Sequence, residues 1–255
     1  MSNRSVINRR NIILKRLNVN ERVLIGELAS SLNVSVETIR KDLIAMEQQG
    51  ILKREHGAAV LISENEEEAI EFRNMDNLEI KNRIAHEALK YIPKSDNTII
   101  AIDAGSTTWC LARLLAQRSG QNIITSSIPV AELFNKDTNN VYMLGGLVRQ
   151  KDKSVYGQWT LNCMNSVGIS VSVLGSGGTR SMGGLCAVTF DDADLKRAMV
   201  RNSEFSIALL DSSKFQKRSL VEAVKWEDID YVITDSNIDE EERVRLSKRT
   251  KLIVV

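Results

Sequence analysis

Two rhythms of apolar residues divide the chain. Up to about residue 50 they recur at helical spacing, and from Thr98 onward they gather into short β-branched runs. Residues 6–17 read as an amphipathic helix with Ile13, Leu14 and Leu17 turned inward. Leu24, Ile25, Leu28, Ala29 and Leu32 then give the i, i+4, i+8 face of a second helix. Asn33-Val34-Ser35 breaks that face, and Ser35 suits the N-cap of a third helix, its hydroxyl accepting from free backbone N–H groups. The third helix buries Ile39, Leu43 and Met46 and stops at Gly50, where glycine tolerates a left-handed backbone. Ile51–Arg54 and Ala58–Leu61 flank Glu55-His56-Gly57 as a short hairpin. Two short helices joined by a tight turn and followed by a hairpin predict a winged helix-turn-helix.

Residues 63–76 break the pattern. Glu64, Glu66, Glu67, Glu68 and Glu71 make the stretch acidic and solvated, as in a linker. The helical period returns at Leu78–Ile92, on the stem of Lys81 with Ile84, Ala85, Ala88, Leu89 and Ile92, and Pro93 ends it. Seven apolar runs follow, at 99–102, 123–125, 141–144, 171–174, 207–210, 231–234 and 252–255. Helical stretches at 108–118, 128–135, 158–166, 191–202 and 238–248 lie between them. Continuous β-rich runs alternating with helices predict an α/β domain with a parallel sheet covered on both faces. The expected organisation is a winged helix-turn-helix over 1–62, an acidic linker over 63–76 and an α/β domain over 77–255.

Charge sharpens that division. The net charge is only +1, but residues 1–62 hold ten cations against six anions. A basic head on a mildly acidic body suits a DNA-binding domain carried by a partner domain. The N-terminus lacks the apolar stretch of a signal peptide, and no apolar run nears the roughly 20 residues that span a bilayer, so a cytoplasmic protein is expected. Cys110, Cys163 and Cys186 lie far apart in apolar surroundings and read as small core residues, not as a zinc or disulfide framework. His56 and His86 are the only histidines, which leaves no metal cluster and no histidine-based triad with the strand ends.

The outward face of the third helix carries Ser35, Glu37, Thr38, Arg40 and Lys41. Hydroxyls and Arg reach base edges in a major groove, while Lys neutralises phosphate. Lys53, Arg54 and His56 of the hairpin are placed for phosphate or the minor groove.

In an open parallel sheet, ligands bind beyond the carboxyl ends of the strands. The residues expected there are Asp103, Gly105, Ser106, Thr107 and Thr108, then Thr125 and Ser126, Gly145 and Gly146, Gly175 and Gly177, and Asp211 and Lys214. Asp103–Thr108 opens a helix like a phosphate cradle without a P-loop lysine, which argues against a nucleoside triphosphate. A plain helix start capped by Ser106 or Thr107 fits the same residues. Carboxylates opposite anion donors suit a phosphorylated polyol, with Lys214 on the phosphate or a carbonyl. Asp191, Asp192 and Lys196 are expected at the rim, as a solvated first turn or as ligand contacts. No cofactor is expected.

These motifs together resemble the DeoR-type regulators of bacterial sugar metabolism over essentially the whole chain. The family's S-x-x-T-I-R-(K/R)-D-L stands as Ser35–Leu43, and its R-x-H-G-G wing as Arg54–Ala58, with Ala58 for the second glycine. Its D-x-G-S-T-T, T-N-S, G-G, K-R and D-S-S-K-F signatures stand as Asp103–Thr108, Thr125–Ser127 (Ser126 in place of Asn), Gly145-Gly146, Lys196-Arg197 and Asp211–Phe215. The resemblance implies an effector domain of the ribose-5-phosphate-isomerase type. It also implies a homo-oligomeric transcriptional repressor, released from operator double-stranded DNA by a phosphorylated sugar. A sugar-phosphate isomerase-like enzyme with a DNA-binding head, using Asp103, Asp211 and Lys214 as acid and base groups, is the alternative from another class. A winged helix that binds protein instead of DNA is a third.

Overall fold

The structure, a computed structural model, describes residues 6, 9–10, 12–13, 16–17, 22–48, 52–55, 57–61, 70–74 and 76–255. It divides into two compact units, Met1–Phe72 and Arg73–Val255.

The first unit contains β1 (Arg22–Leu24), α1 (Ile25–Ser31), α2 (Val36–Gln48), β2 (Leu52–Glu55) and β3 (Ala58–Leu61). The strands form an antiparallel sheet in the order β1-β3-β2. Ile13, Leu17, Leu28, Ile39, Leu43, Met46, Leu52 and Ala59 close its core. The Ser35 hydroxyl accepts from the Thr38 backbone N–H at 3.1 Å, so Ser35 caps α2 as expected. Asn33 turns the chain between the helices at φ 51°, and Gly57 turns the hairpin at φ 73°. The expected helical face is corrected at its first residue. Leu24 ends β1 and is exposed, because Val23 is the strand residue that points inward. Leu14, Gly50 and His56 lie outside the described residues, as does most of the expected linker. Within that stretch, Ile70–Arg73 forms a single helical turn, α3.

The second unit begins its regular structure with α4 (Leu78–Ala88), β4 (Ile99–Ile102), α5 (Ser106–Leu115), β5 (Asn122–Thr125), α6 (Ile128–Ala131) and β6 (Asn140–Met143). It continues with β7 (Leu147–Arg149), β8 (Ser154–Tyr156), α7 (Gln158–Asn165), β9 (Ile169–Leu174), β10 (Gly184–Ala187) and α8 (Phe190–Arg201). The remainder is β11 (Ser203–Leu209), β12 (Val221–Lys225), β13 (Tyr231–Thr234), α9 (Glu240–Ser247) and β14 (Lys251–Val254). The seven apolar runs become the seven strands of one parallel sheet, ordered β14-β13-β11-β9-β4-β5-β6. Alternate strand residues feed opposite layers. Ile100, Ile102, Val171, Val173, Ile207 and Leu209 pack with α4 and α5, while Ala101, Leu174 and Ala208 pack with α7 and α8.

Two antiparallel pairs, β7–β8 and β10–β12, stand outside the main sheet. Neither was among the expected strands. Cys110 and Cys186 are buried as expected, but Cys163 is exposed on α7, so it is not a core residue. Two of its helix neighbours, Thr160 and Met164, take the buried positions instead.

Candidate functional site

In the first unit, Glu37, Arg40 and Lys41 are exposed on α2, with Arg40 at 3.6 Å from Glu37. Ser35 and Thr38 share a hydroxyl–hydroxyl hydrogen bond of 2.8 Å. Lys53 is exposed on β2. Arg54 donates from Nε to Glu47 at 2.6 Å and from its backbone N–H at 2.8 Å, which fastens the wing to the end of α2. The Arg54 backbone N–H and guanidinium hold the Glu47 carboxyl below its usual range. Asp42 carries a role the sequence did not announce. It is 2% exposed and accepts from Arg9 at 2.5 Å and from Arg10 at 2.9 Å. Two cations of the basic head are therefore committed to holding the first helical segment against α2.

In the second unit, the order of the sheet decides where the polar strand ends meet. The chain runs outward through β4, β5 and β6, then returns to build β9, β11, β13 and β14 on the other side of β4. The direction of winding reverses between β4 and β9, and open α/β sheets hold ligands at such a reversal. Asp103 follows β4 there, 1% exposed. Its Oδ2 accepts from the Gly175 backbone N–H after β9 at 2.9 Å and from the Lys196 ammonium of α8. Lys196 is 2% exposed, and Asp192 stands 3.6 Å from its Nζ. Lys196 is thus buried at the reversal and not part of a solvated rim, because α8 lies directly on the sheet. Burial pushes the Asp103 carboxyl up, against the pull of Lys196. Asp103 Oδ1 is enclosed and accepts no hydrogen bond among the described residues.

The N-terminus of α5 opens beside Asp103. Its N-cap is Gly105, with no side-chain cap, so neither Ser106 nor Thr107 caps the helix. Both residues are nearly buried, at 4% and 5%, and their hydroxyls make no hydrogen bond among the described residues. Thr108 and Thr125 use their hydroxyls within the frame. Thr108 donates to the Asp103 carbonyl at 2.7 Å, and Thr125 donates to the Ile102 carbonyl at 2.7 Å. Gly146 meets β8 so closely that a Cβ would stand 2.5 Å from the Tyr156 carbonyl, so Gly145-Gly146 seats the β7–β8 hairpin. Gly177 donates its N–H to Cys186 at 3.1 Å.

A cleft runs from Ser126 past Arg149, Ser154 and Tyr156 to Asp191 and Asp192 on α8. Arg149 donates to Asp152 at 2.5 and 3.0 Å and to Thr189 at 3.2 Å. Burial works to raise the Asp152 carboxyl, but Arg149 outweighs it and holds the group below its usual range.

Asp211 and Lys214, after β11, belong to a second polar group. Asp211 accepts from Ser213, and its carboxyl is held low by Lys214 and Lys81, which outweigh burial. Burial lowers Lys214 to about 8 against Asp211, helped by Lys217, Arg73 and Lys81. Lys81 and Arg149 were not among the expected site residues. A lysine inside the apolar face of α4 was the one signal in the sequence for Lys81; Arg149 and Asp152 sit in a polar stretch without periodicity.

A winged helix-turn-helix in series with a doubly wound α/β domain, whose buried charges converge at the sheet reversal, defines a ligand-responsive transcriptional regulator. The chain belongs to the DeoR family: residues 9–65 match the DeoR-like helix-turn-helix domain and residues 76–236 the DeoR C terminal sensor domain. It is 32% identical to the uncharacterized HTH-type transcriptional regulator YulB of Bacillus subtilis, over 92% of this chain and 90% of that one. It is 30% identical to the glycerol-3-phosphate regulon repressor of Escherichia coli, over 82% and 83%. It is 31% identical to the L-fucose operon activator of Haemophilus influenzae, over 89% and 91%. These relatives are named as transcriptional regulators, and this chain is a DNA-binding transcriptional regulator of the same family. Among solved structures, ribose 5-phosphate isomerase A from Methanocaldococcus jannaschii aligns over 55% of each chain, with TM-score 0.40 and 17% identity. Among the described residues, no helix is long and apolar enough to cross a membrane.

Proposed function

We propose that this regulator is a cytoplasmic repressor of a carbohydrate catabolic operon, bound to operator DNA as a homo-oligomer and released by a phosphorylated sugar. The reader spans 1–62, the linker 63–76 and the sensor 77–255. The observation that carries the effector reading is the sheet reversal itself. An uncapped helix N-terminus that carries the hydroxyls of Ser106 and Thr107, which make no hydrogen bond among the described residues, favours an anion. Beside it, the buried pair Asp103–Lys196 and the unsatisfied Asp103 Oδ1 offer contacts to hydroxyls. Gly105, Thr108, Thr125, Ser126, Gly145, Gly146, Gly175 and Gly177 frame this end. Asp211 and Lys214, the second polar group after β11, are proposed to reach the same ligand. Similarity to the glycerol-3-phosphate regulon repressor and the L-fucose operon activator supports a sugar-linked role.

The test is thermal melting with glycerol 3-phosphate, ribose 5-phosphate, fructose 1-phosphate and the unphosphorylated compounds, because a bound ligand raises stability by mass action. A phosphate ester should raise the melting temperature and release the protein from DNA of its own upstream region. Effector and DNA must weaken each other by the same factor. The response should also fade with alkali. Lys214 titrates near 8 in the folded protein, below its unfolded 10.5, so its positive charge on the anion is lost as pH rises through 8. The free protein changes in the opposite sense. Between those values its unfolded state binds more protons, so this lysine adds stability with rising pH. Equal melting shifts at pH 7 and pH 9 would remove Lys214 from the site. Equal shifts from free sugars and their phosphates would remove the anion.

On DNA, α2 is the proposed reader, with Ser35, Glu37, Thr38, Arg40 and Lys41 outward and Lys53, Arg54 and His56 on the wing. Lys41→Ala should weaken binding to all sequences alike and lower the salt slope by about one unit. Arg40→Ala should relax the preference at particular bases by about 1–3 kcal/mol. Binding isotherms on operator and scrambled duplexes over a salt series separate the two. If both variants match the wild type on both duplexes, α2 is not the reader.

A further inference from the structure

The cleft beside the sheet reversal, counted with its open mouth, holds about 470 Å3. That is the size of pocket that takes a small ligand. Ser126 lines it from the end of β5, Arg149 and Tyr156 from β7 and β8, and Asp191, Asp192 and Asp194 from the start of α8. Two links tie it to Asp103. Thr125 of β5 and Ile102 of β4 are register partners, so Ser126 and Asp103 are the next residues of neighbouring strands. Asp192 stands 3.6 Å from the Lys196 ammonium, which pairs with Asp103.

Ser126 is 4% exposed, and its hydroxyl makes no hydrogen bond among the described residues. A nearly buried hydroxyl on a cavity wall lacks the partner that such groups normally have. The charges along the wall are also unbalanced. Arg149 is the one cation among the described lining residues, and it is already engaged. It donates to Asp152 and Thr189, and its guanidinium lies 5.6 Å from the centre of the Tyr156 ring. Asp194 is matched by Arg197 at 2.7 Å, and Asp192 shares Lys196 with Asp103. Asp191 is exposed and has no hydrogen bond or ion pair among the described residues. It stands in the first turn of α8, where the helix dipole favours a negative charge. A second anion entering the cleft would meet three carboxylates and a guanidinium already matched by Asp152. A hydroxyl would meet acceptors.

We propose that this cleft receives the uncharged polyol end of the effector, with Ser126 bonded to one of its hydroxyls, and that Asp191 is a specificity-determining residue that turns away an effector with a second anionic group. This rests on the phosphorylated-effector reading above and narrows it to monophosphates. The N-terminus of α5 takes the one phosphate, and the aspartates of α8 accept from hydroxyls at the other end. Repulsion of the wrong ligand contributes to specificity alongside attraction of the right one.

The test uses the full chain and pairs of ligands that differ by one anion. These are glycerol 3-phosphate and 3-phosphoglycerate, fructose 1-phosphate and fructose 1,6-bisphosphate, and ribose 5-phosphate and ribose 1,5-bisphosphate. Thermal melting selects the pair with the largest shift, and calorimetry measures both members at low and high salt. The monophosphate should bind about tenfold or more tightly than its partner. Asp191→Asn should narrow that gap about threefold or more. High salt should narrow it in the wild type, because screening weakens charge repulsion and leaves a steric barrier untouched. Ser126→Ala should weaken the monophosphate about fivefold, as loss of a neutral hydrogen bond does. A doubly anionic ligand that binds as tightly as its partner, or a gap unchanged in Asp191→Asn, overturns the proposal and leaves the phosphorylated effector standing. Unchanged monophosphate affinity in Ser126→Ala removes the polyol end from the cleft. No shift of the wild type by any of the six ligands overturns both readings. Should Asp191→Asn fail to fold, the wild-type salt series decides: a gap that persists at high salt overturns the proposal.

Discussion

Lys196→Met is expected to destabilise the sensor unit by about 3–5 kcal/mol, the usual cost of breaking a buried ion pair from one side. The change leaves the Asp103 carboxylate enclosed, with the Gly175 N–H at 2.9 Å as its remaining donor of those two. Burial already pushes that carboxyl up with Lys196 in place. Without the ammonium it rises further, toward holding its proton. A carboxyl whose folded pKa lies above its unfolded 3.8 contributes stability below 3.8 and loses it as pH rises through the folded value. The deficit of Lys196→Met should therefore be larger at pH 7 than in mild acid, and Lys196→Met with Asp103→Asn should recover much of it. Urea unfolding followed by tryptophan fluorescence is suited to this, because Trp109, Trp159 and Trp226 all lie in the second unit. A loss under about 1 kcal/mol at pH 7 would mean that the pair does not hold the sheet reversal together.

Asp42→Ala should destabilise the reader unit by about 3 kcal/mol, near the low end of the same range. The low end applies because the Arg9 and Arg10 side chains stay 11% and 23% exposed and keep some water, while the Asp42 side chain is 3% exposed. The substitution frees two guanidiniums and detaches the first helical segment from α2, so operator binding should fall with stability. The first unit contains no tryptophan. Circular dichroism should therefore show an early helical transition while the fluorescence transition stays in place. A single unchanged transition by both probes would place the anchor of the first helix elsewhere, in the apolar contacts of Ile13 and Leu17.

How much of this was legible varies from residue to residue. The inner strands of the sheet were readable because they are buried on both faces and so write an unbroken apolar run, such as Ile99–Ile102; the edge strands β6 and β14 are partly exposed but kept the same apolar spacing. α2 was readable because Ile39, Leu43 and Met46 mark one face and Ser35 its cap. Leu24 misled because apolar spacing counts residue type and not direction, and a short strand can lead straight into a helix. The β7–β8 and β10–β12 pairs were missed because three- to five-residue strands are too short to establish alternation. Asp42 stood in the sequence only as part of the Ser35–Leu43 motif, and Arg9 and Arg10 only as two cations of the basic head, since no local pattern shows that residues 32 and 33 positions apart will pair.

The sequence by itself determined the periodicities, the caps and the turn residues, and hence a winged reader followed by an alternating α/β sensor. Those are local properties, set by how each side chain suits its own stretch of backbone. Only the tertiary structure decided that the sheet reverses between β4 and β9, and so which strand ends face one another. That choice brings Asp103 to Gly175 and Lys196, 72 and 93 positions away. It also sets Arg73 within electrostatic reach of Asp152 and Lys214. Charges so distant in the chain interact through space once water is excluded, and the exclusion is a property of the packed layers, not of any segment.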